Sequence, residues 1–332
     1  TYELLEPAER KRLAGFIVNK FRGDPELFKP GVEFLENRLD KPCYGVVRFL
    51  HDLDIEEEDG VALEELSRQS RTGSETKLDI CALRPPHVSN FTDLAALARD
   101  RRVALSYASL PRQIDTVDVI VIPGSKSTIS DLDWMKAMGW GNVIVDHVKA
   151  GKPVIGLCGG FQMLGTEVRD PNGVEGTSLE ARGLGLLDVS TTIAATKVTK
   201  QATARMINPS LIGASNPGPH FEGYEIHMGE TILGPNAIPF LALKRRGCDE
   251  TILDGASGPD GRIIGTYLHG LFDSPSGKRA LLFHFAKLVN KLDIFQFEPD
   301  EHTHPDPYDR LADHFRRHLD VQAIYKLMGV VD

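Results

Sequence analysis

The chain has 332 residues, 41% of them hydrophobic, and a formal net charge of −9. That length suits one large or two ordinary domains, and the acidic balance argues against nucleic acid or an anionic membrane surface as a partner. No apolar run approaches a membrane span. The four cysteines (Cys43, Cys81, Cys158, Cys248) stand far apart without a CxxC pair, which reads as reduced thiols in a cytoplasmic enzyme.

In chain order, Gly15–Lys20 is a short apolar strand, Pro30–Leu39 a helix and Cys43–Phe49 a second strand. Residues Ile55–Asp59 form an acidic turn and Ser67–Thr76 a polar tract, together a linker. From Leu78 strands and helices alternate: Leu78–Leu83 strand, Asn90–Arg99 helix, Val103–Tyr107 strand, Val119–Ile122 strand, Trp140–Ala150 helix, Val154–Leu157 strand. Such alternation predicts an α/β fold with a mostly parallel central sheet flanked by helices. Gly183–Val198 and Gly223–Leu233 are richer in strand, whereas Gly277–Leu292 and Tyr308–Met328 carry helical spacing. The Leu, Phe and Ile stripe of the last segment is a packing face.

Three strand ends carry special loops. Val154–Leu157 stops at Cys158, followed by Gly159, Gly160 and a helix-like FQML. Strand, sharp glycine turn and helix make a nucleophile elbow, which presents the apex side chain to an open site. A cysteine there, at a helix N-terminus, is favoured as thiolate, although a lone cysteine after an apolar strand is more often a small buried hydrophobe. Ile263–Leu268 delivers His269 into a second turn, and Val119–Ile122 breaks into Pro123-Gly124-Ser125-Lys126. A cysteine and a histidine at neighbouring strand ends are what sulfur nucleophilic catalysis requires, and the three ends point to one active edge of a parallel sheet.

GLCGGFQMLG with a downstream YLHG resembles the glutamine amidotransferases that use a Cys–His pair to release ammonia from glutamine. Within them, GFIVNKFRGD (Gly15–Asp24), PPHVSNFTDLAAL (Pro85–Leu97), PGSKST (Pro123–Thr128), GYEIHMG (Gly223–Gly229) and GTYLHGLFD (Gly265–Asp273) resemble the cobyric acid synthase family of cobalamin biosynthesis. SNFTD together with NKFRGD separates that family from its closest relatives. The resemblance implies an enzyme that uses ATP and Mg²⁺ to activate corrin side-chain carboxylates of adenosylcobyrinic acid a,c-diamide, then amidates four of them with ammonia from glutamine.

By the same resemblance, the family's N-terminal domain is an ATP-dependent synthetase, dethiobiotin synthetase-like, that opens with a phosphate-binding glycine loop. No GxxxxGK[ST] occurs in this sequence: Ser125 parts Gly124 from Lys126, and PSGKRA (Pro275–Ala280) lacks the leading glycine. Residues 1–60 are therefore expected to be the tail of such a domain in a shortened chain, the alternative being a natural protein without the ATP site. A linker (61–77) and an amidotransferase domain (78–332) follow. The expected partners are glutamine, the corrinoid substrate and the protein's own synthetase domain. No cofactor is expected in this chain itself.

The resemblance also implies site roles. Cys158 attacks the carboxamide and His269 moves the proton; the Gly159 amide and one from Gly124 or Ser125 form the oxyanion hole. Gln162, one helical turn beyond Cys158, touches substrate glutamine in related enzymes; a helix-surface role is its alternative. In GYEIHMG, alternation puts Glu225 and His227 on one face and Tyr224 and Ile226 on the other. One pair is structural, and Glu225 with His227 is the preferred glutamine-binding pair. Lys126 either pairs an anionic group or is a solvated loop lysine. Leu271 occupies the place where many amidotransferases carry an acid that orients the histidine, so a Cys–His dyad is expected, with Asp273 and Glu222 as candidate replacements. His302 and His304 flank prolines and acids, and His314 and His318 lack a third ligand, so no zinc site is expected. Two rivals share Cys158 and His269: another amidotransferase such as a cobyrinate a,c-diamide synthase, or a catalytically silent docking subunit.

Overall fold

The computed structural model describes residues 2–51, 76–114, 116–295 and 307–330. The chain divides into two units, Thr1–Glu56 with Asp300–Asp332, and Glu57–Pro299. The expected linker and its acidic turn fall almost wholly outside the described residues, as do His302 and His304.

In the smaller unit, Phe16–Phe21 pairs in parallel with Cys43–Arg48, and the helix Pro25–Leu39 connects them. That helix starts five residues earlier than its apolar spacing suggests. Asp24 caps it by accepting from the Glu26 amide at 3.0 Å, and Pro25 suits a first turn that has no use for its missing N–H. The C-terminal helices Pro307–His318 and Val321–Leu327 belong here as well. Gly45 bridges Leu319, and the Asp320 amide donates to the Tyr44 carbonyl at 2.8 Å. The expected domain 78–332 is corrected accordingly, since the helices Pro307–His318 and Val321–Leu327 group with the smaller unit and not with the larger one. An apolar stripe shows that a helix packs, but not on which sheet.

The larger unit is built on a twelve-stranded sheet. One end of it is five parallel strands: Leu78–Leu83, Val103–Ala108, Val119–Ile122, Val154–Leu157 and Ile263–Thr266. The second lies outside the first, and the third, fourth and fifth follow on the other side. Alternate residues feed two cores. Val119, Val121, Ile155 and Leu157 face one, which Leu281, Leu282 and Phe285 of the helix Pro275–Leu288 complete. Ile120, Ile122 and Val154 face the other, filled by Leu132 and Met135 of Thr128–Ala137 and by Trp140 and Ile144 of Trp140–Lys149. Burial on both faces is why these strands read as continuous apolar runs. Beyond Ile263–Thr266 the sheet continues antiparallel through Thr251–Ser257, Ile238–Arg245 and Val189–Met206. Val189–Met206 also pairs with His220–Leu233, with a register break between Ile193 and Val198. In an open α/β sheet the loops at the carboxyl ends of the parallel strands face a common crevice, and those loops hold PGSK, Cys158 and His269.

The expected helix Asn90–Arg99 is a 3-10 turn, Phe91–Leu94, followed by one α turn, Ala95–Ala98. Asn90 has φ +50°, a left-handed conformation in which asparagine is tolerated, so a continuous helix cannot begin there. Among the described residues, no helix is long and apolar enough to cross a membrane.

Candidate active site

Cys158 is the apex of a strained turn. Its φ of +52° and ψ of −110° lie where a residue with a Cβ rarely goes. The surroundings impose it: the Cys158 amide donates to Thr266 of the neighbouring strand at 2.9 Å, and its carbonyl accepts the first helical bond from Gln162. The flanking glycines are needed for space. A Cβ on Gly160 would lie 2.0 Å from the Ile122 carbonyl oxygen, and one on Gly156 would lie 2.6 Å from the Gly160 backbone.

His269 is 1% exposed. It sits on the two-residue strand Leu268–His269, which pairs with His220–Leu233 so that Tyr224 opposes His269. Its Nδ1 is 2.7 Å from Asp93 Oδ2, and Asp93 Oδ1 accepts from the Gly270 amide at 3.0 Å. Burial pushes the imidazole pKa down, but hydrogen bonds to Asp93 and to Cys158, with the charges behind them, outweigh it and raise the value to about 10. The ring is therefore held as an imidazolium between a carboxylate and the sulfur. The Cys158 thiol also donates to the Ile226 carbonyl at 3.5 Å.

The expected dyad is thus corrected to a line of three, Cys158–His269–Asp93. Asp273 and Glu222 are both exposed, and neither takes this place. Asp93 is the acid of SNFTD; that motif marked the family resemblance, but its acid was not read as part of the site. The signal was an aspartate on a loop at the same sheet edge.

The oxyanion candidates come together. A Cβ on Gly159 would lie 2.9 Å from the Ser125 amide nitrogen, and one on Gly124 would lie 3.6 Å from Cys158 Cβ. Val88–Ser89 forms a short antiparallel ladder with Gly124–Ser125, and the Lys126 amide donates to the His87 carbonyl at 2.9 Å. That bond makes Val88–Ser125 the non-hydrogen-bonded pair of the ladder and Ser89–Gly124 the bonded one. The Ser125 N–H consequently points out of the ladder while Gly124 faces into it, which favours Ser125 as second donor. Buried Asp131 fixes this loop: it accepts from Ser125 Oγ at 2.6 Å and lies 2.8 Å from His87 Nδ1. Lys126 is exposed.

Gln162 is 3% exposed rather than on a helix surface. Its Oε1 accepts from Thr128 Oγ1 at 2.9 Å, and its Nε2 donates to Tyr267 Oη at 3.0 Å. Glu225 and His227 share a face, as alternation requires. Glu225 accepts from Arg245 Nε at 2.6 Å and lies 3.3 Å from His227 Nε2, while His227 stacks on Tyr267 with ring centroids 4.0 Å apart. Burial alone would raise the Glu225 pKa, but these bonds to His227 and Arg245 lower it to about 2. Glu225, His227 and Tyr267 line one cavity of about 440 Å³. Tyr224, on the opposite face, stacks on His269 instead. Among the described residues, no three His, Cys, Asp or Glu side chains are grouped to hold a metal ion; His314 is 2.8 Å from the Arg48 carbonyl, and His318 is 2.7 Å from that of His314.

A cysteine on an elbow, an imidazole held between it and a buried carboxylate, and the Gly159, Gly124 and Ser125 backbone close beside it define a nucleophilic-cysteine site suited to acyl or amide carbon. The chain belongs to the CobB/CobQ-like glutamine amidotransferase domain family, whose model matches residues 79–277. It is 41% identical over 337 residues to a cobyric acid synthase of Desulforamulus reducens and 42% identical over 333 residues to one of Photorhabdus laumondii. Each match covers 99% of this chain and 64% of the relative, so the chain spans less than two thirds of those proteins. A solved structure of PurLQS from Thermotoga maritima is 17% identical with a TM-score of 0.47, covering 67% of this chain and 100% of that one.

Proposed function

We propose that this chain hydrolyses glutamine and delivers the ammonia to a synthetase that amidates corrin carboxylates. The observation that carries the first half is the 2.7 Å contact of buried Asp93 with His269, whose imidazole faces Cys158. Cys158 sulfur attacks the carboxamide carbon of glutamine, and the carbonyl oxygen takes the charge between the Gly159 and Ser125 amides. Donors so placed are worth roughly 3 kcal/mol each in the transition state. The proton on His269 Nε2 passes to the leaving nitrogen as the C–N bond breaks, giving ammonia and a γ-glutamyl thioester. His269 then takes a proton from water, whose oxygen attacks the thioester carbon; the C–S bond breaks, glutamate leaves, and the sulfur departs as thiolate beside the reprotonated His269. Asp93 holds Nδ1–H throughout, leaving Nε2 to face the sulfur. Gln162, through Thr128 and Tyr267, holds the floor of the site, while Glu225 and His227, which line the adjoining cavity, are the proposed partners of the glutamine main-chain groups.

The second half rests on the cobyric acid synthase relatives. Adenosylcobyrinic acid a,c-diamide is the proposed acceptor and cobyric acid the product, with ATP and Mg²⁺ bound by a synthetase domain of which residues 1–56 are one part. No GxxxxGK[ST] stands in this sequence, and the proposal assigns phosphate binding to that synthetase domain. The four cysteines are free thiols, which fits a cytoplasmic enzyme. The test is glutamate release by wild type against Cys158→Ala, with and without separately supplied synthetase domain. Release lost in Cys158→Ala supports the reading; no release in either condition, together with no selective trapping of Cys158 by a glutamine-analogue electrophile, overturns it.

A further inference from the structure

Asp93 fixes only one point of the imidazole. A single contact at Nδ1 leaves the ring free to turn about that axis, and its other contacts set its plane. Tyr224 stands opposite His269 in the ladder, and the two rings stack with centroids 5.1 Å apart and planes 14° from parallel. Directly opposed residues on one face of an antiparallel pair are close enough that the register itself enforces this contact. Asn90 Nδ2 lies 3.4 Å from Nδ1 and 3.2 Å from Nε2 of His269. Near-equal distances to both nitrogens place it over the ring rather than in line with either lone pair. Tyr224 also lines an open cavity of about 830 Å³ together with Glu222, Lys244 and Arg246, so its ring stands between the imidazole and solvent on that side.

We propose that Tyr224 is a positioning residue for the glutamine hydrolysis described above: its ring face holds the His269 imidazole in plane between Asp93 and Cys158 and stabilises it as imidazolium. The inference rests on that reading for its catalytic meaning. An aromatic face presents negative charge density, and a cation within about 6 Å of its centroid is attracted to it. The titratable groups facing His269 are Asp93 from the 3-10 turn, Cys158 from the elbow and Tyr224 from the long strand; Glu222 and Asp273, on the neighbouring strand and turn, are exposed.

The experiment compares wild type, Tyr224→Phe and Tyr224→Leu in the full chain by two readouts. One is the pH dependence of glutamine hydrolysis; the other is NMR titration of ¹³C-labelled His269, which needs no turnover. Tyr224→Phe keeps the ring and should match wild type in both. Tyr224→Leu should lower the His269 pKa by about one pH unit, move the alkaline limb of kcat/KM down equally, and reduce kcat about tenfold with little change in KM. Should Tyr224→Leu fail to fold, Tyr224→Met takes its place with the same expectations. A Leu or Met variant that folds and titrates like wild type overturns the role of Tyr224. Wild-type glutamine hydrolysis that survives Cys158→Ala instead overturns the glutaminase reading, while the NMR titration still decides the stack.

Discussion

Replacing Asp93 by asparagine keeps the shape of a side chain that is 4% exposed and removes its charge. In the wild type, the His269 pKa stands at about 10 instead of 6.5 in spite of burial. At 1.36 kcal/mol per pH unit, that difference amounts to about 5 kcal/mol in favour of the imidazolium, net of the burial that opposes it, with Asp93 and Cys158 together as its source. A share of about 2–3 kcal/mol for Asp93 agrees with the usual worth of a hydrogen bond to a charged group and corresponds to a rate loss of roughly 30- to 150-fold. The tautomer adds to this. Without the carboxylate the ring becomes neutral: asparagine oxygen would keep the Gly270 amide, its NH₂ would face Nδ1, and the one ring proton would sit on Nε2, leaving no base to take the proton of the Cys158 thiol. The expected fall in kcat at pH 7.5 is therefore about 10²–10³-fold. Burial, no longer opposed by the carboxylate, should also bring the alkaline limb well below pH 10. The assay is glutamate release over pH 5–11, read against wild type and Cys158→Ala, with unfolding midpoints to confirm the fold. Asp93→Asn activity within about threefold of wild type, with an unchanged pH profile, would refute the three-residue line.

Because Cys158 holds a positive φ, Cys158→Gly should be more stable than Cys158→Ala by about 1–2 kcal/mol in urea unfolding, with both inactive; equal stabilities would mean the turn is unstrained. Gly160→Ala puts a methyl 2.0 Å from the Ile122 carbonyl oxygen, so a loss of about 3 kcal/mol and of glutamine hydrolysis is expected, and a near-neutral denaturation curve would contradict the close approach of helix and strand. The folded-state pKa of Glu225 is depressed from about 4.5 to about 2. Its stabilising contribution, on the order of 3 kcal/mol, is therefore complete above pH 4.5 and lost as pH falls toward 2. The stability gap between wild type and Glu225→Gln should narrow over that range; a gap independent of pH would remove the buried ion pair from the account.

Cys158 and His269 were legible because each ends a run whose physics is local. Val154–Leu157 and Ile263–Thr266 are apolar enough to be buried parallel strands, and each meets glycine just where a polar side chain has to turn out of the sheet. The Gly159, Gly124 and Ser125 loops could be read for the same reason, though the choice between Gly124 and Ser125 waited on ladder phase, which one backbone bond at His87 settles. Gln162 had the right spacing to reach the site, but which partners its amide would meet depended on Thr128 and Tyr267, on other elements. The glutamate and histidine of GYEIHMG were correctly put on one face, because alternation along a strand is a local rule. What each face would meet was not local, and Tyr224 gained its place over His269 only through pairing between separate strands.

Local patterning was thus enough for an α/β fold, a sulfur nucleophile, its histidine and the edge of the sheet on which they meet. It was not enough for Asp93, which lies 176 positions from His269 along the chain. That aspartate follows a strand no different in composition from its neighbours, and its role arises because the first, third, fourth and fifth strands lie side by side with their ends together. The same holds for the helices Pro307–His318 and Val321–Leu327, which meet the Cys43–Arg48 strand of the smaller unit. Strand order and register join residues that sequence separation keeps apart, and the charge on His269 is a consequence of that joining.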